Sequence, residues 1–401
     1  MEKEIHVQKW YKNCCSPVVL MIDDFANCWV DANNNGVIDP GEDWGYNKYN
    51  KGSAMDFLEN KLLDGYPDIK VTFFVPVGKR AEMIITPVAK QTSKAINEDQ
   101  ESKAFFSTIH KNSRYELAYH GTTHGKPGED TMDFVDEWLM YDTYQEAIDT
   151  IAKGIGIFED ATGVKPLGGK YCAYISKSFS DETIDNSGFL WWCRFWNRGE
   201  LGEKEEELTG GDKNPITNFD VKFFGNNKVI DIPSTINGEM FQIVGEKKGL
   251  IKNLINKCRI LKRTKDLDYF LKNRLIISIQ EHISPSRADG KIQRPNIYSD
   301  YYSLRYMFKY FSKKNVWFCT CSELASYVYC RENSHIEIKD NKTFRLSYKN
   351  DSRIANPILS LHFNRYKTGN IKCPDGSIVG IKKNMATIPV QNGIYEIISQ
   401  A

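Results

Sequence analysis

The 401-residue sequence has almost no net charge: 53 lysines and arginines meet 52 aspartates and glutamates, leaving +1. That balance leaves no electrostatic footprint for nucleic acid or for an anionic membrane surface, so neither is expected as a partner. Long hydrophobic runs are also missing. The longest, at 18–22 and 73–77, are of strand length, and a membrane helix needs ~20 residues. Met1-Glu-Lys-Glu-Ile-His6 has no basic stretch followed by an apolar run. No secretory signal is therefore read, and a cytoplasmic location is expected. Ten cysteines are scattered without a CxxC ligand pair, and Cys14–Cys15 and Cys319–Cys321 lie too close in sequence to make good disulfides. Reduced thiols follow. No internal repeat or low-complexity segment stands out.

What is present is an ordinary globular composition, 41% hydrophobic and 26% charged, in a chain long enough for one large core and a smaller appendage. Aromatics reach 12%, with eight Trp and twenty-one Tyr, which suits a sugar-binding cleft and a bulky core equally. Short apolar runs at 17–22, 70–76, 115–119, 188–193, 229–232, 275–279 and 316–320 read as buried strands. Helical spacing falls between them at 54–63, 101–112, 143–161, 247–261, 266–271, 303–311 and 322–332, and a Gly/Glu/Lys/Asn-rich loop covers 198–218. Buried strands alternating with helices predict an α/β fold with a parallel sheet, open or closed into a (β/α) barrel over 1–332. After Arg331 the pattern changes to short alternating strands separated by Asn, Asp and Gly turns, predicting a small antiparallel β domain, sandwich-like, over 334–401.

In parallel-sheet folds ligands collect at the carboxyl ends of the strands. The polar residues predicted there are Asp23, Asp24, His120, Glu281 and His282. His120-Gly-Thr-Thr-His124 directly follows a strand; if the chain turns helically, residues four apart share a face and both imidazoles reach one ion. Asp23-Asp24 supplies a carboxylate from another strand end. Imidazole nitrogen with carboxylate oxygen suits a borderline-soft divalent ion such as zinc, with one position left for water. Of two adjacent carboxylates, one can turn to the metal and the other can face the water as general base.

This combination resembles the polysaccharide deacetylase superfamily, the NodB-type carbohydrate esterases of family four. Val19-Leu-Met-Ile-Asp23-Asp24 is similar to their first motif, and Glu116-Leu-Ala-Tyr-His120-Gly-Thr-Thr-His124 to their second, with Gly121 where Ser or Thr is usual. Ile276-Ile-Ser-Ile-Gln-Glu-His282 resembles the last. The resemblance implies a distorted (β/α) barrel, Asp24, His120 and His124 as metal ligands, Asp23 as general base and His282 as general acid. It also implies removal of N-acetyl or O-acetyl groups from a carbohydrate substrate. The third motif departs: Thr162-Gly-Val-Lys-Pro166 leads into Gly168-Gly-Lys-Tyr-Cys172, so Lys170 stands where the family has the arginine that orients the base. A lysine keeps the charge without the two-pronged geometry. A catalytically silent carbohydrate-binding relative and an amidohydrolase acting on a non-sugar amide remain the alternatives. The run Trp191-Trp192-Cys-Arg194-Phe-Trp196 suits a cleft wall or core packing.

A second metal signature lies within the barrel segment. Asp31 to Glu42 fits D-x-[DN]-x-[DN]-G-x5-E at every specified position, with Asp31, Asn33, Asn35, Val37, Asp39 and Glu42 as candidate calcium ligands. An Asn/Gly-rich surface turn would have the same composition without an ion.

Overall fold

A computed structural model describes residues 4–46, 50–196, 217–245 and 250–398. Most of the loop expected at 198–218 lies outside the described residues, as do the first residues of the helix expected from 247.

The strand Ser16–Asp23 is buried along its whole length, as its unbroken apolar run demands when both faces of a sheet are covered. It sits near the middle of a ten-stranded sheet. Parallel neighbours Val71–Val75, Tyr115–Tyr119, Gly168–Lys170, Trp191–Cys193 and Val229–Asp231 follow on one side, and Ile277–His282 and Ile236–Asn237 on the other. Val316–Phe318 also pairs with the first half of Ser16–Asp23. The strand Lys222–Phe224 caps one edge in antiparallel sense, and among the described residues the two edges do not pair. The expected distorted barrel is therefore present as a mixed sheet curled into a half-barrel.

Alternation along each strand sends side chains into two cores. Val18, Leu20 and Ile22 join Leu58, Phe106, Ile151 and Leu304 in the layer under the helices. Val19 and Met21 join Phe74, Ala118, Trp191 and Cys193 on the other face, together with Leu324 and Val328 of the helix Cys321–Glu332 and Phe344, Leu346 and Leu359 from the C-terminal region. That region, expected as a sandwich-like unit, is one antiparallel sheet of eight strands forming a nearly closed barrel. Seven strands lie between Ser334 and Ile398, and the eighth is Ile5–Val7 from the N-terminus, paired with Ile358–Phe363. The helices expected at 247–261 and 266–271 are one continuous helix, Leu250–Lys272. No helix among the described residues is long and apolar enough to cross a membrane.

The register brings the strand ends level. Asp23 lies opposite His282, Val75 opposite Tyr119, Tyr119 opposite Gly169 and Lys170 opposite Cys193. Residues at or just past these positions share one rim.

Candidate active site

On that rim the structure gathers Asp23, Asp24, His120, His124, Lys170 and His282 around a cleft of about 400 Å³, walled by Phe134, Tyr174 and Trp196. A larger groove of about 890 Å³, lined by Lys12, Trp317 and Arg353 among others, contains none of these six residues.

Asp23 and Asp24 are adjacent but face different partners. Asp23 takes Lys170 Nζ at 2.9 Å on Oδ1 and 2.7 Å on Oδ2, and Gln280 Nε2 donates to Oδ2 at 2.8 Å. Gln280 Oε1 in turn accepts from Lys170 Nζ and from the Tyr174 hydroxyl. The lysine lacks a guanidinium's second prong, and the Gln280 amide supplies it. Burial opposes ionisation of Asp23, but the Lys170 ammonium outweighs it and holds the carboxyl below its usual range. Asp24, with φ +62°, turns the other way. Its Oδ2 accepts from Arg80 Nη2 at 3.0 Å, and the guanidinium stacks 4.2 Å over the Trp44 ring. Burial again opposes ionisation, and the Arg80 guanidinium overcomes it.

The remaining oxygen, Asp24 Oδ1, is buried and makes no hydrogen bond among the described residues. It lies 3.1 Å from His124 Nε2 and 3.9 Å from His120 Nε2. His120 Nδ1 meets the Lys170 carbonyl at 3.0 Å, which fixes the tautomer with the proton there and the Nε2 lone pair free. Burial lowers both imidazole pKa values, that of His124 to about 3, so both rings are neutral. A buried orphan carboxylate oxygen facing two neutral imidazole nitrogens is a donor set that fits a divalent cation. Cys172 Sγ also lies within 4.8 Å of ring nitrogens of His120 and His124. It donates to the His120 carbonyl, and burial raises its pKa well above 9.0.

The two histidines are not on a helical turn, contrary to the expectation for an HxxxH pair. Positive φ at Gly121 (+84°) and His124 (+72°) bends the chain instead, leaving the ring centroids 5.1 Å apart. His282 Nδ1 meets the Pro295 carbonyl at 2.8 Å. Glu281, expected at the rim, alternates to the opposite face and packs against Gly238. Trp191 and Trp192 are core residues with no exposure, and only Trp196 of the aromatic run reaches the cleft. Sequence reasoning missed Arg80, which sits in a loop without a motif. It also missed Gln280, which strand alternation places on the same face as His282.

In the loop 31–42, Asp31 accepts the N–H groups of Asn35 and Gly36, and Glu42 accepts those of Ala32 and Asp39. Asn33 and Asn35 both donate to Asp39 Oδ2, and the Asn35 side-chain oxygen accepts the Val37 N–H. The hydroxyls of Ser284 and Ser286, just after His282, donate to the Gly41 carbonyl, which ties this loop to the cleft rim.

No family model matches the chain, and no curated protein matches it. Solved structures match it at low identity. The allantoinase Puue is 15% identical over 80% of this chain and 92% of its own, with a TM-score of 0.44. A polysaccharide deacetylase from Bacillus cereus is 12% identical over 78% and 95%, with a TM-score of 0.36. A family 4 acetyl xylan esterase from Clostridium thermocellum, solved with a cobalt ion, is 12% identical over 77% and 90%, with a TM-score of 0.34. At TM-scores below 0.5 these are similarities of chain course, and the functional reading rests on the geometry of the rim.

Proposed function

We propose that this chain is a metal-dependent hydrolase that removes N-acetyl or O-acetyl groups from a carbohydrate. The observation that carries the reading is the split pair Asp23–Asp24: one carboxylate aims a bare oxygen at two neutral imidazoles, and the other is held ionised beside them. Asp24, His120 and His124 would hold the ion, and zinc suits their oxygen and nitrogen donors. When bound, such an ion supplies Lewis-acid polarisation of the acyl carbonyl and of water.

The protein's own residues do the rest. Asp23, ionised and fixed by Lys170 and Gln280, accepts the proton of the attacking water. Lys170 and Gln280 fix its orientation, so the base does not need to reorganise as charge develops. Arg80 holds the far oxygen of Asp24 and restricts the near one to a single direction. His282, with Nδ1 anchored on the Pro295 carbonyl, acts in its imidazolium form, giving its Nε2 proton to the leaving amine or alcohol and ending as the neutral imidazole. Tyr174 and Trp196 supply aromatic faces for a sugar ring.

The test is acetate release from N- and O-acetylated sugars, with non-sugar amides run alongside, for the zinc-loaded protein and for Asp23→Asn. Loss of about 10²–10⁴-fold in the variant is expected for a general base. Full-rate release by Asp23→Asn would contradict this reading. The loop from Asp31 to Glu42 is proposed as a separate calcium site that would order one side of the cleft.

A further inference from the structure

The bend that carries both imidazoles cannot support itself. With Gly121 and His124 at positive φ, the N–H groups of Thr122, Thr123 and His124 have no helical carbonyls to bond. All three converge instead on one side chain. Glu137 Oε1 accepts from Thr122 N, and Oε2 accepts from Thr123 N and from His124 N, each at 2.7 Å. The Tyr141 hydroxyl donates to Oε1 at 2.7 Å, and the Glu137 side chain is buried, at 1% exposure. Successive main-chain N–H groups closing on an anion form a nest, and here the anion belongs to the protein. The Glu137 N–H returns a bond to the His124 carbonyl at 3.1 Å. The short strand pair Gly125–Lys126 with Val135–Asp136 fastens the two segments together.

Gly121 fits the same picture. A Cβ at this position would stand 2.5 Å from Glu137 Oε2 and 2.9 Å from its Cδ. Only a residue without a side chain lets the carboxylate lie along the bend. We infer that Glu137 is a positioning residue for the metal centre, setting the spacing and aim of His120 and His124 through the main chain between them. This rests on the metal-dependent reading above.

The site calls for a carboxylate rather than an amide. Five donors meet two oxygens, the Thr123 hydroxyl being the fifth at 3.5 Å, and an amide would turn an NH₂ group toward an N–H or a hydroxyl. Glu137→Gln keeps the volume and removes that match, whereas Glu137→Ala removes the anchor altogether. Gly121→Ala pushes on the oxygen that holds Thr123 and His124.

The experiment measures Zn²⁺ affinity by competition with a chromogenic chelator, and the visible spectrum of the Co²⁺-loaded protein, for wild type and these variants. Thermal melts run beside them. Expected are a loss of affinity of about tenfold to a hundredfold and an altered Co²⁺ band in variants that still melt cooperatively. The double variant Gly121→Ala with Glu137→Ala should lose less than the sum of the two, because the clash partner is gone. Wild-type affinity and spectrum in Glu137→Gln, with wild type binding metal, overturns this inference alone. A wild-type protein that binds neither ion overturns the metal-dependent reading and this inference with it.

Discussion

Adjacent residues in this chain reach different chemistry because each belongs to a different network. Asp23 meets Lys170 and Gln280, whereas Asp24 meets Arg80 and the imidazoles. The Asp-Asp pair and both histidines were legible in the sequence because strand ends and spacing announce them. Arg80 and Gln280 were not, because their roles depend on loop and register geometry that no local pattern encodes. Glu281 shows the same limit. It precedes His282 yet lies on the other face, fully buried, with neither carboxyl oxygen hydrogen-bonded among the described residues. Burial, reinforced by Asp300 and Glu239, raises its pKa well above 4.5. The folded protein thus holds a proton there that the unfolded chain releases. The stability this group contributes is complete below the unfolded value and is lost as pH rises toward the folded one. Glu281→Gln should therefore flatten the decline of stability with rising pH. At pH 8 it should raise Tm by roughly 2–4 °C, the shift about 1 kcal/mol produces in a large domain, as read by thermal melts from pH 4 to 8. A variant with the wild-type slope would show that Glu281 does not titrate as described.

Among the elements, strands with an apolar run were readable and strands built on a neighbour's bulk were not. Gly168–Lys170 has no apolar signature because a Cβ at Gly168 would lie 2.2 Å from the Trp191 ring and one at Gly169 would lie 2.5 Å from the Trp192 ring. The indoles fill the space, so the strand is written in its partner's residues. The helix Leu250–Lys272 was read as two because Lys262-Arg-Thr-Lys265 carries no apolar residue. On a largely exposed helix such residues still propagate it, lysine and arginine well and threonine tolerably. The helix Tyr144–Thr162 allows a paired test. Gly156 has open space where a Cβ would go, whereas a Cβ at Gly154 would lie 2.4 Å from the Tyr119 hydroxyl and 2.7 Å from Thr122 Oγ1. Gly156→Ala should stabilise by about 0.5–1 kcal/mol. Gly154→Ala should destabilise by about 1–3 kcal/mol through overpacking. Urea denaturation of both variants checks the sign, and equal shifts would contradict the packing described for this helix against the histidine-bearing bend. The 31–42 loop has its own test. Calcium at a hundred times its Kd should add about 2.7 kcal/mol to the stability of wild type but not of Glu42→Gln. No shift in Tm up to millimolar calcium would leave the loop a plain turn.

At the scale of the whole molecule, the parallel register is what makes one site from distant segments. Residues 23, 24, 120, 124, 170 and 282 meet because five parallel strands end level. The α/β alternation was readable from hydrophobic period alone. The contribution of Ile5–Val7 to the C-terminal sheet was not, since it depends on pairing across more than 350 residues of chain. The proposed function requires a metal ion at the point faced by Asp24, His120 and His124. Metal analysis of the purified protein after zinc loading and desalting, for wild type, His120→Ala and His124→Ala, tests it most directly. About one equivalent of zinc in wild type and loss of it in both variants is the predicted result; unchanged stoichiometry in both variants would contradict it.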